Sequence, residues 1–441
     1  MSEQYSEEHL NEVARQSGFV KRQRKLKPSY FLDTLMFNKY DNKTVSLNDH
    51  SVDIQVRHQT VLKKQSIDER FNEKSVQFVK MLLEEQLNKQ VATSFTMNCL
   101  EKFSSVKIKD STRFQLPESL KAAYPGSGGA ASEAGVHVQF EFDIKSGRVN
   151  AIQTTDAKRQ DMTDALETVS EIEEGGLIIR DLGYFSTRIL QDIGTHRKAY
   201  YISRLKPRIK IFTFTEGRFE QLDLVKEHKE LRRDGLLWKE LKVYIGGDNK
   251  VPVRLVIELM PDGEVEKRMR KANREAVKKK RVLNEQYRAY ASLGLFVTNV
   301  PEQWMATQHI RTIYRLRWQI ELRFKCWKGL CHVHAVKKMK RHRFETCLYA
   351  CLLYILVNWE ISILLVSDYL KMTGKMLSVY KCYKAIIQCG DILRWALFYG
   401  REKLGVYFKT IRGINYRNLL LEKRKGHLSL NEILLTDIEI Q

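Results

Sequence analysis

The sequence predicts an α/β protein built around a mixed sheet, and three observations carry the prediction. From Ser104 the pattern changes to alternation: 104–110 (SSVKIKD), 135–155 (GVHVQFEFDIKSGRVNAIQTT), 175–181 (GGLIIRD) and 199–205 (AYYISRL) all read as strand-forming. A helical stretch from Asp161 to Glu174, with Leu166 and Val169 on one face, lies between the second and third of these, and this interleaving indicates a mixed α/β sheet. Helical sequence flanks the strand-rich part on both sides.

The elements follow in order. Residues 1–103 are helical and mixed in charge, with Val76, Val79, Leu83 and Leu87 at helical spacing, and Ser66 and Asn72 as N-caps that would split the stretch into two helices. Such a pair suits a DNA groove or a plain helical bundle, and the sequence leaves both open. Residues 104–205 form the first sheet block, with 135–155 a β-hairpin about Lys145-Ser146-Gly147 and 175–181 a short apolar strand of the buried type. The glycine-rich stretch 125–135 lacks Gly-Lys-Ser/Thr and a following helix pattern, so it is a connection and not a phosphate-cradling loop. Residues 206–292 have the character of a mostly β insertion, FTFTEGRFEQLDLV and LWKELKVYIGG then VPVRLVIELM, closed by the basic helix EVEKRMRKANREAVKKKRVLNEQYRAY. Residues 293–345 resume the strand pattern as GLFVTNVP and lead into a helix bearing Glu321. Residues 346–441 are helical and suit dimerisation.

Composition narrows the partners. Lys and Arg number 75 against 53 Asp and Glu, a formal +22, so an extended polyanion is the natural partner of so long a chain. The acidic, polar N-terminus (MSEQYSEEHLNE) carries no apolar signal segment. The seven cysteines, Cys99, Cys326, Cys331, Cys347, Cys351, Cys382 and Cys389, include no C-x2-C pair, which fits a reducing cytoplasm. The apolar stretch Cys347 to Ser367 is interrupted by Asn358, Trp359 and Glu360, so it reads as a buried helix rather than a span, and no membrane partner is expected.

Candidate chemistry concentrates in YRLRWQIELRFKCWK, residues 314–328. On an uninterrupted α-helix, Arg317, Glu321 and Lys328 fall at roughly 300°, 340° and 320° from Tyr314, with Trp318 near 40°. One face would thus carry a phenol, an indole, two cations and a carboxylate. Asp110 closes the first strand and Asp181 the buried strand, and in α/β sheets functional groups gather at the carboxyl ends of strands. Taken alone, each aspartate reads first as a turn cap and Glu321 as part of a solvated helix face. Together, three carboxylates suit two Mg²⁺ ions about 4 Å apart, which assist in-line phosphoryl displacement. Arg317 and Lys328 would hold the phosphodiester, Tyr314 would hydrogen-bond a phosphate, and Trp318 would stack on an unpaired base.

With DST at 110–112, RDLGYF at 180–185, SRL at 203–205 and TNVP at 298–301, the pattern Tyr314, Arg317, Glu321, Lys328 resembles the bacterial DDE transposases of the insertion-sequence-four family, YREK subclass, over the chain to about residue 360. The resemblance implies an RNase H-like catalytic domain interrupted by a β insertion between the second Asp and the Glu. It implies Asp110, Asp181 and Glu321 as catalytic ligands of two Mg²⁺ ions, for which Mn²⁺ substitutes, and Tyr314, Arg317 and Lys328 as phosphate contacts near a flipped base. Arg204, in the SRL segment, falls where related enzymes place a cation close to a DNA hairpin, and Phe296 is the aromatic offered by the strand before the helix. The implied activity is cut-and-paste transposition in the bacterial cytoplasm, at the nucleoid: nicking at terminal inverted repeats of double-stranded DNA, hairpin formation and opening, and joining to target DNA by a homodimer. A catalytically silent DNA-binding derivative and a sequence-independent structure-specific nuclease are the rival readings.

Other motifs read as structural. Asp143 and Asp156 suit turns and Asp161 a helix start. Cys331-His332-Val333-His334 lacks a second pair at structural-zinc spacing, and Cys347 with Cys351 suits a helix core.

Overall fold

The computed structural model describes residues 2–22, 25–37, 45–90, 100–128, 132–278, 280 and 282–422. The strands are β1 (Val106–Leu116), β2 (Ala134–Asp143), β3 (Val149–Asp156), β4 (Leu177–Arg180), β5 (Tyr200–Arg204), β6 (Ile211–Thr215), β7 (Arg218–Gln221), β8 (Trp238–Ile245), β9 (Val251–Leu259) and β10 (Leu293–Thr298). The described residues divide into two compact units, one drawn from Met1–Phe95, Ser111–Arg159 and Gln319–His427, the other from Thr96–Asp110 and Gln160–Trp318.

The second unit is a mixed sheet in the order β1-β4-β5-β10-β9-β8-β6-β7. Parallel pairing joins β1 to β4, from Val106 opposite Leu177 to Lys109 opposite Arg180, and β4 to β5. From β5 onward the neighbours are antiparallel, β5 with β10, β10 with β9, β9 with β8, β8 with β6 and β6 with β7. Ile178, Tyr201, Leu255, Ile257, Leu295 and Val297 fill its core. The insertion strands thus extend this sheet, and their closing basic stretch forms two helices, Asp262–Lys278 and Glu285–Ser292.

In the first unit, helices Glu7–Gln16, Pro28–Met36, Leu47–His58, Lys64–Asp68 and Glu73–Asn88 pack on one another, and Pro28–Met36 and Glu73–Asn88 lie against the long helix Arg341–Thr373. That helix is long and apolar enough to cross a membrane, yet 89% of its apolar window is buried inside the protein, as expected of a core helix. Its polar residues have partners: Thr346 meets Ser75 at 2.9 Å, Glu360 accepts from Gln86 at 2.7 Å and Asn358 donates to the Tyr354 carbonyl. The β2–β3 hairpin turns where the sequence placed it. Asp143 accepts from the backbone of Lys145 and Ser146, and Gly147 supplies the left-handed residue at φ 70°.

Two local expectations are corrected. Asn72 is an N-cap, in a reciprocal capping box with Ser75, but Ser66 lies inside Lys64–Asp68, whose cap position is Lys63 with no side-chain bond. β1 does not stop at Asp110: Thr112, Phe114 and Leu116 continue the buried alternation to residue 116. Cys99 and residues 129–131 of the glycine-rich connection lie outside the described residues; the six other cysteines are free thiols.

Candidate active site

The parallel ladder between β1 and β4 ends at Lys109 opposite Arg180, so Asp110 and Asp181 are the next residues on two adjacent strands. Alternation sends Lys109 and Asp110 to opposite faces. Lys109 turns into the core, where its ammonium lies 2.6 Å from Asp164 and 3.1 Å from Thr168, clamping β1 to the Asp161–Thr168 helix. Asp110 is left on the other face, its side chain 17% exposed. Asp181 precedes a short 3₁₀ turn, Leu182–Tyr184, but its carboxylate does not cap it, so the turn-cap role does not account for this side chain.

Arg317 brings the two carboxylates under one cation. Its guanidinium donates to Asp110 at 2.8 Å and lies 3.9 Å from Asp181. It reaches them from a 3₁₀ turn, Arg315–Arg317, inserted between the helices Thr307–Tyr314 and Trp318–Gly329. The segment is therefore not the uninterrupted α-helix expected from spacing. A 3₁₀ turn eclipses residues three apart, which sets Arg317 alongside Tyr314. Tyr314 is buried, its ring 5.4 Å from that of Phe296 in an edge-to-face contact. Burial pushes its hydroxyl up to about 12; Arg317 opposes this, Asp181 adds to it and Arg204 opposes it again. Arg204 is half-buried at the end of β5. Of the three rings proposed to meet a base or phosphate, Phe296 and Tyr314 are buried and Trp318 is 45% exposed.

The insertion strands buttress this arrangement. Arg254 on β9 grips Glu240 on β8 through two hydrogen bonds of 2.7 Å and donates to the carbonyl of Val300. Glu240 also accepts from Thr307, the first residue of the helix that leads to Arg317. Asn299 of the TNVP segment accepts from the Tyr201 amide and donates to the Ala199 carbonyl, both at 2.8 Å, tying the end of β10 to β5.

The remaining candidates belong to the first unit. Glu321 is exposed in the first turn of Trp318–Gly329. Lys328, half-buried with its pKa lowered by that burial, donates to the Arg113 carbonyl at 3.0 Å. Arg323, absent from the sequence reading, anchors the helix. It is buried, its guanidinium 3.6 Å from the centre of the Trp359 ring and 5.8 Å from that of Phe142. Trp359 is itself fixed by donating to the Gly147 carbonyl at 3.0 Å. A signal existed: on a helical wheel Arg323 falls within the roughly 160° arc of buried Ile320, Phe324, Cys326 and Trp327. The Lys109–Asp164 pair was likewise missed, though a lysine on the inward side of a buried strand demands a carboxylate.

Hard oxygen donors of Asp110 and Asp181, near enough to share one guanidinium, fit a divalent cation such as Mg²⁺, which is held by one or two carboxylates together with substrate phosphates. Among the described residues no group of three or more His, Cys, Asp or Glu side chains forms a metal cluster.

The fold and these aspartates define a mixed α/β protein with two acidic groups just beyond a parallel ladder, Asp110 within β1 and Asp181 directly after β4. Residues 101–357 match the Transposase DDE domain family, and the chain belongs to it: it is an insertion-sequence transposase of the DDE type, a polynucleotidyl transferase. It is 32% identical over 391 residues to the transposase for insertion sequence element IS231F of Bacillus thuringiensis subsp. israelensis, covering 85% of this chain and 81% of that one. It is 27% identical over 443 residues to the transposase for IS1151 of Clostridium perfringens, covering 97% and 93%. A solved piggyBac transposase synaptic complex with hairpin DNA is similar at a TM-score of 0.44 and 10% identity, over 96% of this chain and 84% of that chain.

Proposed function

We propose that the chain is a transposase of the insertion-sequence-four family, YREK subclass, that excises its element from double-stranded DNA and joins it to a target. The observation that carries the reading is the meeting of Asp110, Asp181 and Arg317 just beyond the β1–β4 ladder. Asp110, Asp181 and Glu321 are proposed as the metal-holding carboxylates of an RNase H-like catalytic domain, made of residues 104–205 and 293–345 and interrupted by the insertion 206–292. Two Mg²⁺ ions, when bound, supply activation of the attacking oxygen and stabilisation of the leaving one. Arg317 offsets the repulsion between the two aspartates and brings positive charge to a phosphodiester. Trp318 offers an exposed ring to an unstacked base, supported by the burial of Phe296 and Tyr314. Tyr314 positions Arg317, and Lys328 and Arg204 supply further positive charge to the strand. Residues 1–103 contact the terminal inverted repeats, residues 346–441 pair two copies, and the reaction runs through nicking, hairpin formation, hairpin opening and strand transfer.

The test is cleavage of a duplex bearing the element's inverted repeat. Asp110→Asn, Asp181→Asn and Glu321→Gln should each lower Mg²⁺-dependent nicking on the order of 10³-fold while binding of the same duplex stays within about threefold. Near wild-type nicking by any of the three removes that residue from the site. Wild-type protein that binds the repeat but never cuts would be a silent derivative. Equal cutting of unrelated DNA would make it a structure-specific nuclease.

A further inference from the structure

The helix Asp262–Lys278, in the insertion, carries charge that neither the fold nor the site uses. Its N-terminal half is tied down. Lys267 pairs with Glu264, Arg270 pairs with Glu266, and Arg268 donates to the carbonyls of Ala291 and Leu293 at the start of β10. The C-terminal half differs. Lys271, Arg274 and Lys278 are all exposed, and among the described residues none has a hydrogen bond or ion pair.

Their placement is ordered. Relative to Lys271, Arg274 and Lys278 lie at about 300° and 340°, within an arc of about 60°. Val265, Met269, Ala272 and Ala276, the half-buried and buried apolar residues of this helix, fall at about 100° to 160°, so the cations look away from the packed side. From Lys271 to Lys278 the row is about 10 Å long, the axial rise of about three nucleotides of one DNA strand. Glu275, at about 40°, is the single carboxylate beside the row and pairs with none of the three.

We propose that this row is a second DNA contact, separate from the strand-end site, which follows the phosphate backbone of duplex DNA without reading its sequence. The proposal rests on the reading above that the chain acts on DNA. Three unpaired cations on a rigid, outward-facing helix match the charge and repeat of a phosphate backbone, and the helix offers no apolar face for a protein partner or a bilayer: its exposed apolar residue is Val277 alone.

The experiment measures binding of the full chain to a duplex of arbitrary sequence across a range of NaCl concentrations. Replacing all three cations, Lys271→Gln, Arg274→Gln and Lys278→Gln, should reduce the slope of log K against log salt by about 2 to 3. The ratio of affinities for the inverted-repeat duplex and the arbitrary duplex should stay unchanged. Glu275→Gln should act in the opposite direction, tightening binding about two- to threefold at low salt, a gain that damage to the fold cannot imitate. An unchanged slope in the triple variant, or no gain in Glu275→Gln, overturns the proposal. So does loss of binding to phosphatidylserine vesicles with the DNA slope intact. Absence of Mg²⁺-dependent cutting in the wild-type chain would instead defeat the proposed function and leave the slope measurement standing.

Discussion

The strand ends around Asp110 and the helix around Glu321 hold buried charge by opposite means. Around the strand ends three cations meet carboxylates, Lys109 with Asp164, Arg254 with Glu240 and half-buried Arg317 with Asp110, while buried Arg180 lies 5.9 Å from the centre of the Tyr184 ring. On the helix, Arg323 is buried with aromatic faces, and Glu321 stands exposed. The lesson is that ion pairs fix a position and cancel charge, whereas a guanidinium stacked on a ring fixes a position and leaves a net charge. The helix of Glu321 therefore keeps a positive centre two residues from its carboxylate.

The comparison is open to direct attack, and the largest effect is expected at the strand ends. Asp164→Ala strands the Lys109 ammonium in the core and should cost about 3–5 kcal/mol in denaturant unfolding. Replacing both partners, Lys109→Met with Asp164→Leu, should recover most of it; failure to recover would show that strand geometry rather than charge was lost. Arg323→Ala should cost about 2–3 kcal/mol, from the lost ring contact and the void. Arg323→Met keeps the bulk without the charge and should restore at least half. Recovery below half would show that Trp359 holds the charge itself rather than the side chain's volume.

A pH titration tests the same contrast elsewhere in the first unit. His50 is 4% exposed beside Phe71, with its pKa lowered to about 3 by burial first and by Arg343 next. The unfolded chain takes up a proton below 6.5 while the folded ring stays neutral, so stability should fall as pH drops from 6.5 toward 3. The loss to pH 5 should be about 2 kcal/mol, and His50→Gln should flatten the profile over that window. The smallest effect is expected at Lys328, where Lys328→Met removes one hydrogen bond to the Arg113 carbonyl and should cost about 1 kcal/mol by thermal unfolding.

How much of this was legible follows from the range of each signal. Period-two alternation located β1, the β2–β3 hairpin and β10, because it is a local property of the sequence. The same alternation ran on through Thr112, Phe114 and Leu116, so the full length of β1 was also readable. The Arg315–Arg317 turn was not: nothing in YRLRW breaks a helix, and its place between two helices is decided by tertiary packing. Lys109 with Asp164 and Arg323 with Trp359 join residues far apart in sequence, and only the unsuitability of a lone charge in an apolar setting hints at them.

That turn bears on which length changes the protein tolerates. Three residues wound at about 120° each instead of about 100° advance the following side chains by about 60°. A deletion or insertion of one residue between Thr307 and Trp318 would swing the guanidinium of Arg317 off the aspartates by at least that much. The exposed β6–β7 connection at Glu216-Gly217 has no such phase to preserve and accepts added residues at little cost. Among natural variants, the spacing from Thr307 to Trp318 should therefore stay constant while the insertion lengthens and shortens.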